Sequence, residues 1–373
     1  MKRPLQLTLC LTRNCTLRCR YCYAGAKRAQ SMSRETAELG IEAGLAEALR
    51  TGRGVDMAFF GGEPLLEWEL LQYCHDYFAR RAAELGVAVR CGLTTNGTLL
   101  SREWLAWLAE RDYLVGLSVD GSSAMHDANR CYPDGRGSHA DVARALELMR
   151  GFPSLRSRVI CVVNPANHHL LLEGVEWLHR HYPGAFTLSF DYWSEWSDAR
   201  FESLRLQLEK LASFVLESYR AGDPLREDGM EGKMRTAVSP PRSGCVHCRI
   251  GEQELAVSVD GHFFPCSRMV GVGDAPEISF GHVKTGIDRA KHNYYIATRG
   301  NATPECRVCE IRHRCMNSCG CTNYAASGAI NRVSPFLCNL EQTLIMLADN
   351  VAETLFEEKN PLFMRRFYSG KSD

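Results

Sequence analysis

The sequence has no net charge, no signal peptide and no long hydrophobic run. Its 373 residues include 44 Lys and Arg against 44 Asp and Glu, which gives no electrostatic reason to expect a nucleic-acid backbone or an anionic membrane as partner. No apolar run approaches the roughly 20 residues that span a bilayer. The N-terminal apolar stretch is interrupted by Arg13 and no small-residue cleavage site follows it, so we expect no signal peptide. We therefore expect neither nucleic acid nor a membrane as a partner.

Cysteine is the residue type that stands out. Seventeen cysteines, an odd number, occur in a chain without an export signal, and the cytosol keeps thiols reduced. We therefore predict a cytoplasmic protein without a disulfide framework, whose thiolates bind metal or carry out redox chemistry. Eight cysteines lie in the first 161 residues, none between 162 and 244, and nine between 245 and 338. This distribution predicts two separate cysteine systems.

Six short apolar segments alternate with six longer helical patterns over the first 220 residues. Strands are predicted near residues 5–11, 55–60, 87–95, 113–119, 157–163 and 185–191. Helices are predicted near residues 34–50, 66–85, 101–111, 138–150, 168–181 and 200–220. This α/β alternation is typical of a parallel sheet with helices outside it, either as an open sheet or as a barrel. In a barrel, the chemistry belongs at the C-terminal ends of the strands.

The rest of the chain divides into a linker, a cysteine-rich region and a C-terminal helix. Residues 222–244 carry Pro, Gly and mixed charge without periodicity, which predicts a linker. The Asp260-Gly261 pair suits the tight turn of a hairpin, and residues 339–358 have a helical pattern. The predicted domains are residues 1–221, the linker 222–244, the cysteine-rich residues 245–345, and a helix and tail at 346–373.

The first cysteine system is a C-x3-C-x2-C triplet of Cys15, Cys19 and Cys22, directly after the first predicted strand. Three thiolates from one short loop can hold three irons of a [4Fe–4S] cluster and leave the fourth iron open for a substrate or cofactor. The triplet alone is also compatible with a zinc site that lacks its fourth ligand, or with three unrelated thiols.

The surrounding residues resemble the radical S-adenosylmethionine (SAM) enzymes. The segment CTLRCRYCYA is similar to their cluster-binding signature, including the aromatic Tyr21 before the third cysteine. Three further motifs follow in the family's order, each behind a predicted strand. They are Gly61-Gly62-Glu63-Pro64, Thr95-Asn96-Gly97, and the run Ser118-Val119-Asp120-Gly121 with His126 and Arg130. The resemblance implies that residues 1–221 form a partial (β/α)6 barrel similar to a TIM barrel.

The resemblance also implies how SAM is bound. The backbone of the segment with Gly61, Gly62 and Glu63 would receive the methionine amino group, since glycines let a small zwitterion approach closely. Ser118 would face the ribose and methionine moiety, and Arg130 would hold the SAM carboxylate through paired hydrogen bonds. The remaining SAM-site candidates from these motifs are Tyr21, Asn96 and Asp120.

In the second cysteine system Cys306, Cys309, Cys315 and Cys319 have the spacing C-x2-C-x5-C-x3-C, and Cys338 follows 19 residues on. This arrangement resembles the SPASM domain, a C-terminal extension with two auxiliary [4Fe–4S] clusters, and its spacing is similar to that of the anaerobic sulfatase-maturing enzymes. The resemblance implies one auxiliary cluster on Cys245, Cys266, Cys319 and a fourth cysteine, and another on Cys306, Cys309, Cys315 and Cys338. The family's fourth cysteine falls at Gly251, so Cys248 is the natural substitute and Cys321 the competitor. A structural zinc site on Cys245, Cys248, Cys306 and Cys309 is the alternative for this region.

The resemblance implies an enzyme with SAM and three [4Fe–4S] clusters, one of which binds SAM. Flavodoxin or ferredoxin would supply the electron that cleaves SAM to methionine and a 5′-deoxyadenosyl radical, which abstracts hydrogen from an inert C–H bond. We predict that the substrate is a peptide or protein, as in the maturation of a ribosomally synthesised peptide. The alternatives are sulfatase maturation, dehydrogenation or cyclisation of a small molecule, and a non-catalytic iron–sulfur or zinc scaffold.

One position counts against sulfatase maturation. In that subgroup an Asp that serves as general base follows the cysteine at the place of Cys266, whereas this chain has Ser267 and Arg268 there. We predict Asp191 as the general base instead, because it ends the sixth strand at the expected mouth of the barrel. A solvated loop carboxylate is the alternative interpretation of Asp191.

Overall fold

A computed structural model describes residues 2–239, 250–271, 277–299 and 303–369. The chain forms two compact units, each built from separate stretches of sequence. The first unit comprises Met1–Ser118, Arg130–Arg158 and Arg249–Arg299. The second comprises Val119–Asn129, Val159–Cys248 and Gly300–Asp373. The predicted ligands Cys245 and Cys248 lie outside the described residues.

The predicted strands and helices of the α/β region are present, with bounds within a few residues of the prediction. The strands are β1 Leu5–Thr12, β2 Val55–Gly61, β3 Val89–Thr95, β4 Leu114–Ser118, β5 Arg156–Val163, β6 Phe186–Phe190, β7 Glu254–Val257, β8 Phe263–Phe264, β9 Gly281–His282 and β10 Gly286–Ile287. The first seven helices are α1 Arg34–Thr51, α2 Trp68–Leu85, α3 Arg102–Glu110, α4 Ser123–Asp127, α5 His139–Arg150, α6 Leu171–His181 and α7 Asp198–Arg220. The others are α8 Asp228–Val238, α9 Arg289–Thr298, α10 Pro304–Val308, α11 Gly320–Ser327, α12 Pro335–Glu357 and α13 Pro361–Tyr368.

A mostly parallel sheet organises the first unit, in the order β4-β3-β2-β1-β7-β8. The pairs from β4 to β7 are parallel, and only β7 with β8 is antiparallel. The inner strand β1 has Leu7, Leu9 and Leu11 fully buried, as expected for a strand covered on both faces. Helix α1 approaches it closely, since a Cβ atom on Gly44 would lie 2.7 Å from Leu7 Cδ2. In the second unit β5 and β6 pair in parallel. The α/β fold class with a mostly parallel sheet is therefore confirmed.

The cysteine-rich region begins with the predicted hairpin. Strands β7 and β8 pair through Val257 and Phe263, and Gly261 adopts φ +91° in the turn between them. The pairing of β7 with β1, which extends the parallel sheet, was not predicted. The predicted C-terminal helix is present as α12. No helix among the described residues combines the length and apolarity that crossing a membrane requires.

Part of the predicted linker is helical. Residues Asp228–Val238 form α8, where the sequence predicts irregular structure. The helix begins at Glu227, whose buried carboxylate accepts hydrogen bonds from the backbone N–H groups of Gly229 and Met230 at 2.8 and 2.6 Å. Burial raises the pKa of this carboxyl, against the effect of those hydrogen bonds. Tertiary contacts of Met230 and Met234, both buried, stabilise a helix whose sequence pattern is weak.

Candidate functional site

The cysteine triplet lies on the loop that follows β1, and its three side chains are half-buried. Asn14 Oδ1 accepts a hydrogen bond from the Cys15 backbone N–H at 2.9 Å, and the Cys22 N–H donates to the Cys19 carbonyl at 3.2 Å. Burial is the main cause that raises the pKa of the Cys15 thiol. Three thiols on one loop, each partly accessible, form a donor set that fits an iron–sulfur cluster with one open iron.

Among residues 2–239, 250–271, 277–299 and 303–369, no three His, Cys, Asp or Glu side chains converge on a position for one metal ion. In a [4Fe–4S] cluster each thiolate binds a different iron.

Glu63 joins the segment after β2 to the end of β3. Its buried carboxylate accepts hydrogen bonds from Thr95 Oγ1 at 2.7 Å, from the Asn96 N–H at 2.8 Å and from the Leu65 N–H at 3.1 Å. Burial raises the pKa of Glu63 to about 7, although these three hydrogen bonds act to lower it. The carboxylate of the GGE motif is therefore a cross-link between two strand ends.

Asn96 continues this connection to the cysteine loop. Its Nδ2 donates to Thr16 Oγ1 at 3.0 Å and lies 3.6 Å from Cys15 Sγ. Its Oδ1 accepts from the N–H and the hydroxyl of Thr98, which fixes the orientation of the amide. The two predicted motifs and the cysteine triplet thus meet at the carboxyl ends of β1, β2 and β3.

The glycines of the GGE motif permit close contact between backbones. Gly61 has φ +127°, and a Cβ atom on Gly62 would overlap the Asn14 carbonyl oxygen. Through this approach the Gly62 N–H donates to the Thr12 carbonyl at 2.7 Å, and the Glu63 N–H donates to the Asn14 carbonyl at 2.8 Å. The segment after β2 is therefore bonded directly to the cysteine loop.

Three other SAM-site candidates also belong to the first unit. The guanidinium carbon of Arg130, a buried residue, lies 5.2 Å from the centre of the Tyr21 ring, in the range of a cation–π contact. The Ser138 hydroxyl donates to the Arg130 carbonyl at 2.8 Å. Ser118 is half-buried at the end of β4. The structure thus brings Arg130 into contact with Tyr21, which lies between Cys19 and Cys22 of the triplet.

Asp120 and Asp191 lie in the second unit, where each holds nearby backbone. Asp120 is fully buried, its Oδ1 accepts from the Val162 N–H at 2.8 Å, and its own N–H donates to His126 Nδ1 at 3.1 Å. Asp191 accepts from the Trp193 N–H at 3.0 Å and from the Ser194 hydroxyl. Both carboxylates therefore accept hydrogen bonds that fix the conformation of the neighbouring chain.

The described auxiliary-cluster candidates are divided between the units. In the first unit Cys266 is buried just before the short helical turn Ser267–Met269. In the second unit Cys306 lies on α10, Cys338 lies on the first turn of α12, and Cys315 is buried between α10 and α11. Cys319 precedes α11, and its Sγ lies 3.6 Å from that of Cys321, the alternative fourth ligand.

Ser267 lines a cavity of about 120 Å³ in the first unit. The ends of β1 and β2 and the segment after the cysteine triplet form the other walls. The described lining includes Arg13 and Arg28 and contains no Asp or Glu side chain. Asp260 lies near it, with Oδ2 3.6 Å from the Arg13 guanidinium. The position that follows Cys266 therefore faces cationic and neutral groups.

Two side-chain contacts near the predicted cysteine ligands are not indicated by any pattern in the sequence. Lys27 Nζ donates to Cys22 Sγ at 2.9 Å. The buried ion pair of Lys233 and Glu341 lies 2.6 Å apart although the residues are 108 positions apart in sequence. Sequence patterns encode spacing within an element, so neither contact could be found without the fold.

Part of the chain matches a known protein family. Residues 9–178 match the model of the Radical SAM superfamily. A cysteine-type anaerobic sulfatase-maturating enzyme of Clostridium perfringens is 25% identical over 337 residues, which cover 82% of this chain and 85% of that protein. The uncharacterized protein MJ0907 of Methanocaldococcus jannaschii is 29% identical over 189 residues, and the chain spans only 61% of its length.

Two solved structures share the fold. Native anSMEcpe with bound AdoMet and Cp18Cys peptide has a TM-score of 0.78 at 21% identity, over 94% of this chain and 99% of that one. Streptococcus suis SuiB bound to precursor peptide SuiA has a TM-score of 0.59 at 15% identity, over 90% and 76%. Residues 9–178 of the chain therefore match a radical SAM domain, and the relatives indicate an enzyme. The chain is related to the anaerobic sulfatase-maturating enzymes, and its family implies SAM and a [4Fe–4S] cluster as cofactors.

Proposed function

We propose that this enzyme modifies a side chain of a ribosomally synthesised peptide or a protein, and that it does not make formylglycine. The observation that carries the proposal is the environment of Ser267, which lines a cavity with two arginines and no described carboxylate. This position holds the general base in the enzymes that the sequence resembles. A serine hydroxyl, uncharged near neutral pH, is a poor proton acceptor, and a guanidinium cannot act as a base.

We assign the cysteine triplet and the SAM-site candidates the roles that the family resemblance implies. Cys15, Cys19 and Cys22 hold the SAM-binding cluster, and the backbone at Gly61 and Gly62 receives the methionine amino group. Ser118, Asp120, Asn96, Tyr21 and Arg130 complete the SAM site. When bound, the cluster and SAM supply a 5′-deoxyadenosyl radical that removes a hydrogen atom from the substrate. Arg130 contributes a buried positive charge for the SAM carboxylate.

A peptide substrate is supported by two structures of similar fold. AnSMEcpe has a bound Cp18Cys peptide in one structure, and SuiB has the bound precursor peptide SuiA in the other. We also propose the two auxiliary clusters with the ligand sets given above, and flavodoxin or ferredoxin as electron donor. Asp191 stays our candidate base. It would have to accept a proton while its carboxylate holds Trp193 and Ser194.

Sulfatase maturation is the second candidate function, favoured by the relatives themselves. The Clostridium perfringens enzyme aligns with 82% of this chain, and a serine-type enzyme of Klebsiella pneumoniae is 23% identical over 319 residues. The two candidates differ in whether a base acts at the position of Ser267. Base catalysis of this kind contributes about 10²–10⁴-fold to a rate.

The test is incubation of the reconstituted enzyme with reductant, SAM and a sulfatase-motif peptide, followed by mass spectrometry of the peptide and measurement of deoxyadenosine. We expect deoxyadenosine without aldehyde formation, and no deoxyadenosine from the control variant Cys15→Ala. The variant Ser267→Asp places a carboxylate where the sulfatase-maturing enzymes have their general base. It therefore tests directly whether the missing base prevents aldehyde formation. Efficient conversion of the peptide by the unchanged enzyme would restore the sulfatase-maturing assignment.

A further inference from the structure

The second unit contains a buried ion pair between two helices. Lys233 on α8 and Glu341 on α12 are 7% and 2% exposed, with Nζ 2.6 Å from Oε2. Desolvation of two charges offsets most of their attraction, so apolar residues of similar volume often stabilise a protein equally well or better. The net contribution of the pair to the free energy of unfolding is therefore expected to be small.

The pair binds the peptide groups on both sides of Cys315. Lys233 Nζ donates to the Arg314 carbonyl at 2.8 Å, and Glu341 Oε2 accepts from the Met316 N–H at 2.6 Å. Cys315 lies between α10 and α11, outside any helix or strand. Its backbone position consequently depends on these two hydrogen bonds more than a helical residue's would.

Arg314 adds a second connection to the same two helices. Its guanidinium donates to Asp349 on α12 at 2.8 Å, and to Thr236 Oγ1 and the Lys233 carbonyl on α8 at 3.0 and 3.2 Å. Helix α12 also carries Cys338, three residues before Glu341 and hence on the same side of the helix. The network thus fixes Cys315 relative to Cys338.

We propose that Lys233 and Glu341 are positioning residues for an auxiliary iron–sulfur cluster held by Cys306, Cys309, Cys315 and Cys338. The inference rests on the proposed ligand set. The ion pair holds the Cys315 backbone against the helix that carries Cys338. Outer-shell groups of this kind commonly change metal affinity about 10- to 100-fold.

The decisive variant is the double substitution Lys233→Met with Glu341→Leu, which removes both charges and keeps the buried volume. We expect the thermal midpoint of the iron-free protein to be retained, while about four of about twelve irons are lost on reconstitution or released to a chelator about 10- to 100-fold faster. The iron of the SAM-binding cluster, followed by its electron paramagnetic resonance signal with SAM, stays. Iron content and release equal to those of the wild type would overturn the proposal.

Two further variants separate a positioning role from general destabilisation. Glu231→Gln breaks the ion pairs of Glu231 on α8, with Arg366 Nε at 2.9 Å and with Arg235, and it should leave iron release unchanged. Glu341→Gln keeps the shape of the side chain and should release iron faster even if the double variant does not fold. Equal acceleration in Glu231→Gln and Glu341→Gln would overturn the proposal.

The ligand set is tested separately from the ion pair. Cys338→Ala should also lower the iron content by about four. If it does not, the proposed ligand set has failed and the positioning role fails with it. If Cys338→Ala loses iron while the double variant keeps it, only the role of Lys233 and Glu341 is wrong.

Discussion

Glu63→Gln should change how the stability of the iron-free protein depends on pH. The pKa of Glu63 is raised from 4.5 to about 7 by burial, so the folded protein binds the Glu63 proton more tightly than the unfolded chain does. The stability from this proton is fully present below about pH 4.5 and is lost as the pH rises through about 7. At about 1.4 kcal/mol per pKa unit, the loss amounts to about 3 kcal/mol.

The substitution also has a cost that does not depend on pH. Glutamine keeps one acceptor oxygen, so in either orientation its NH2 group faces the backbone N–H of Leu65 or of Asn96. A buried donor without an acceptor costs about 1–3 kcal/mol. At pH 5 the wild type should therefore be the more stable protein by about 1–3 kcal/mol, and by pH 8 the difference should shrink to near zero or change sign.

Urea unfolding of both iron-free proteins at pH 5 and pH 8 measures these differences as free energies of unfolding. Glu69→Gln is the matched control, because Glu69 is exposed on α2, and it should change stability little at either pH. The same difference between wild type and Glu63→Gln at both pH values would refute the reasoning. It would show that Glu63 is ionised in the folded protein at pH 5.

Three further predictions concern the SAM-binding cluster. Replacing Cys15, Cys19 and Cys22 together by Ala should remove about a third of the iron and all SAM cleavage, measured by iron assay and deoxyadenosine release; zinc with little iron in the wild type would contradict it. Arg130→Ala should weaken SAM binding about 10- to 150-fold, the loss of one charge-assisted contact, with iron content intact; unchanged affinity would place the carboxylate contact elsewhere. Lys27→Met should lower the reduction potential of the cluster, because it removes a cationic donor to a ligand sulfur; an unchanged potential in spectroscopic titration would show that this hydrogen bond does not persist in the loaded enzyme.

Local patterns predicted the α/β region because its strands and helices are each encoded within a short segment. The strands β1 to β6 have apolar runs of the right length, and the helices between them have the 3.6-residue period. The predicted hairpin of β7 and β8 succeeded for the same reason, since Asp260-Gly261 specifies a turn locally. These elements required no knowledge of tertiary contacts.

Contacts between distant segments were not predictable in the same way. Strand β7 has only four residues and pairs with β1 in parallel. No pattern in either strand's sequence indicates which strand it pairs with. Helix α8 is stabilised by its cap at Glu227 and by the burial of Met230 and Met234. Because these contacts leave no periodic pattern in the sequence, the segment was predicted to be a linker. The prediction failed where stability came from long-range contacts.

The predicted motifs meet at one place in the structure because their spacing satisfies a packing constraint. Parallel strands bring the segments after β1, β2 and β3 to one edge of the sheet. There, only a residue without a side chain at Gly62 lets the Glu63 N–H reach the Asn14 carbonyl. The Glu63 carboxylate then holds Asn96, whose amide contacts the cysteine loop. The GGE motif is thus bonded to the cysteine loop, and we expect a change at Gly62 or Glu63 to disturb the binding of both the cluster and SAM.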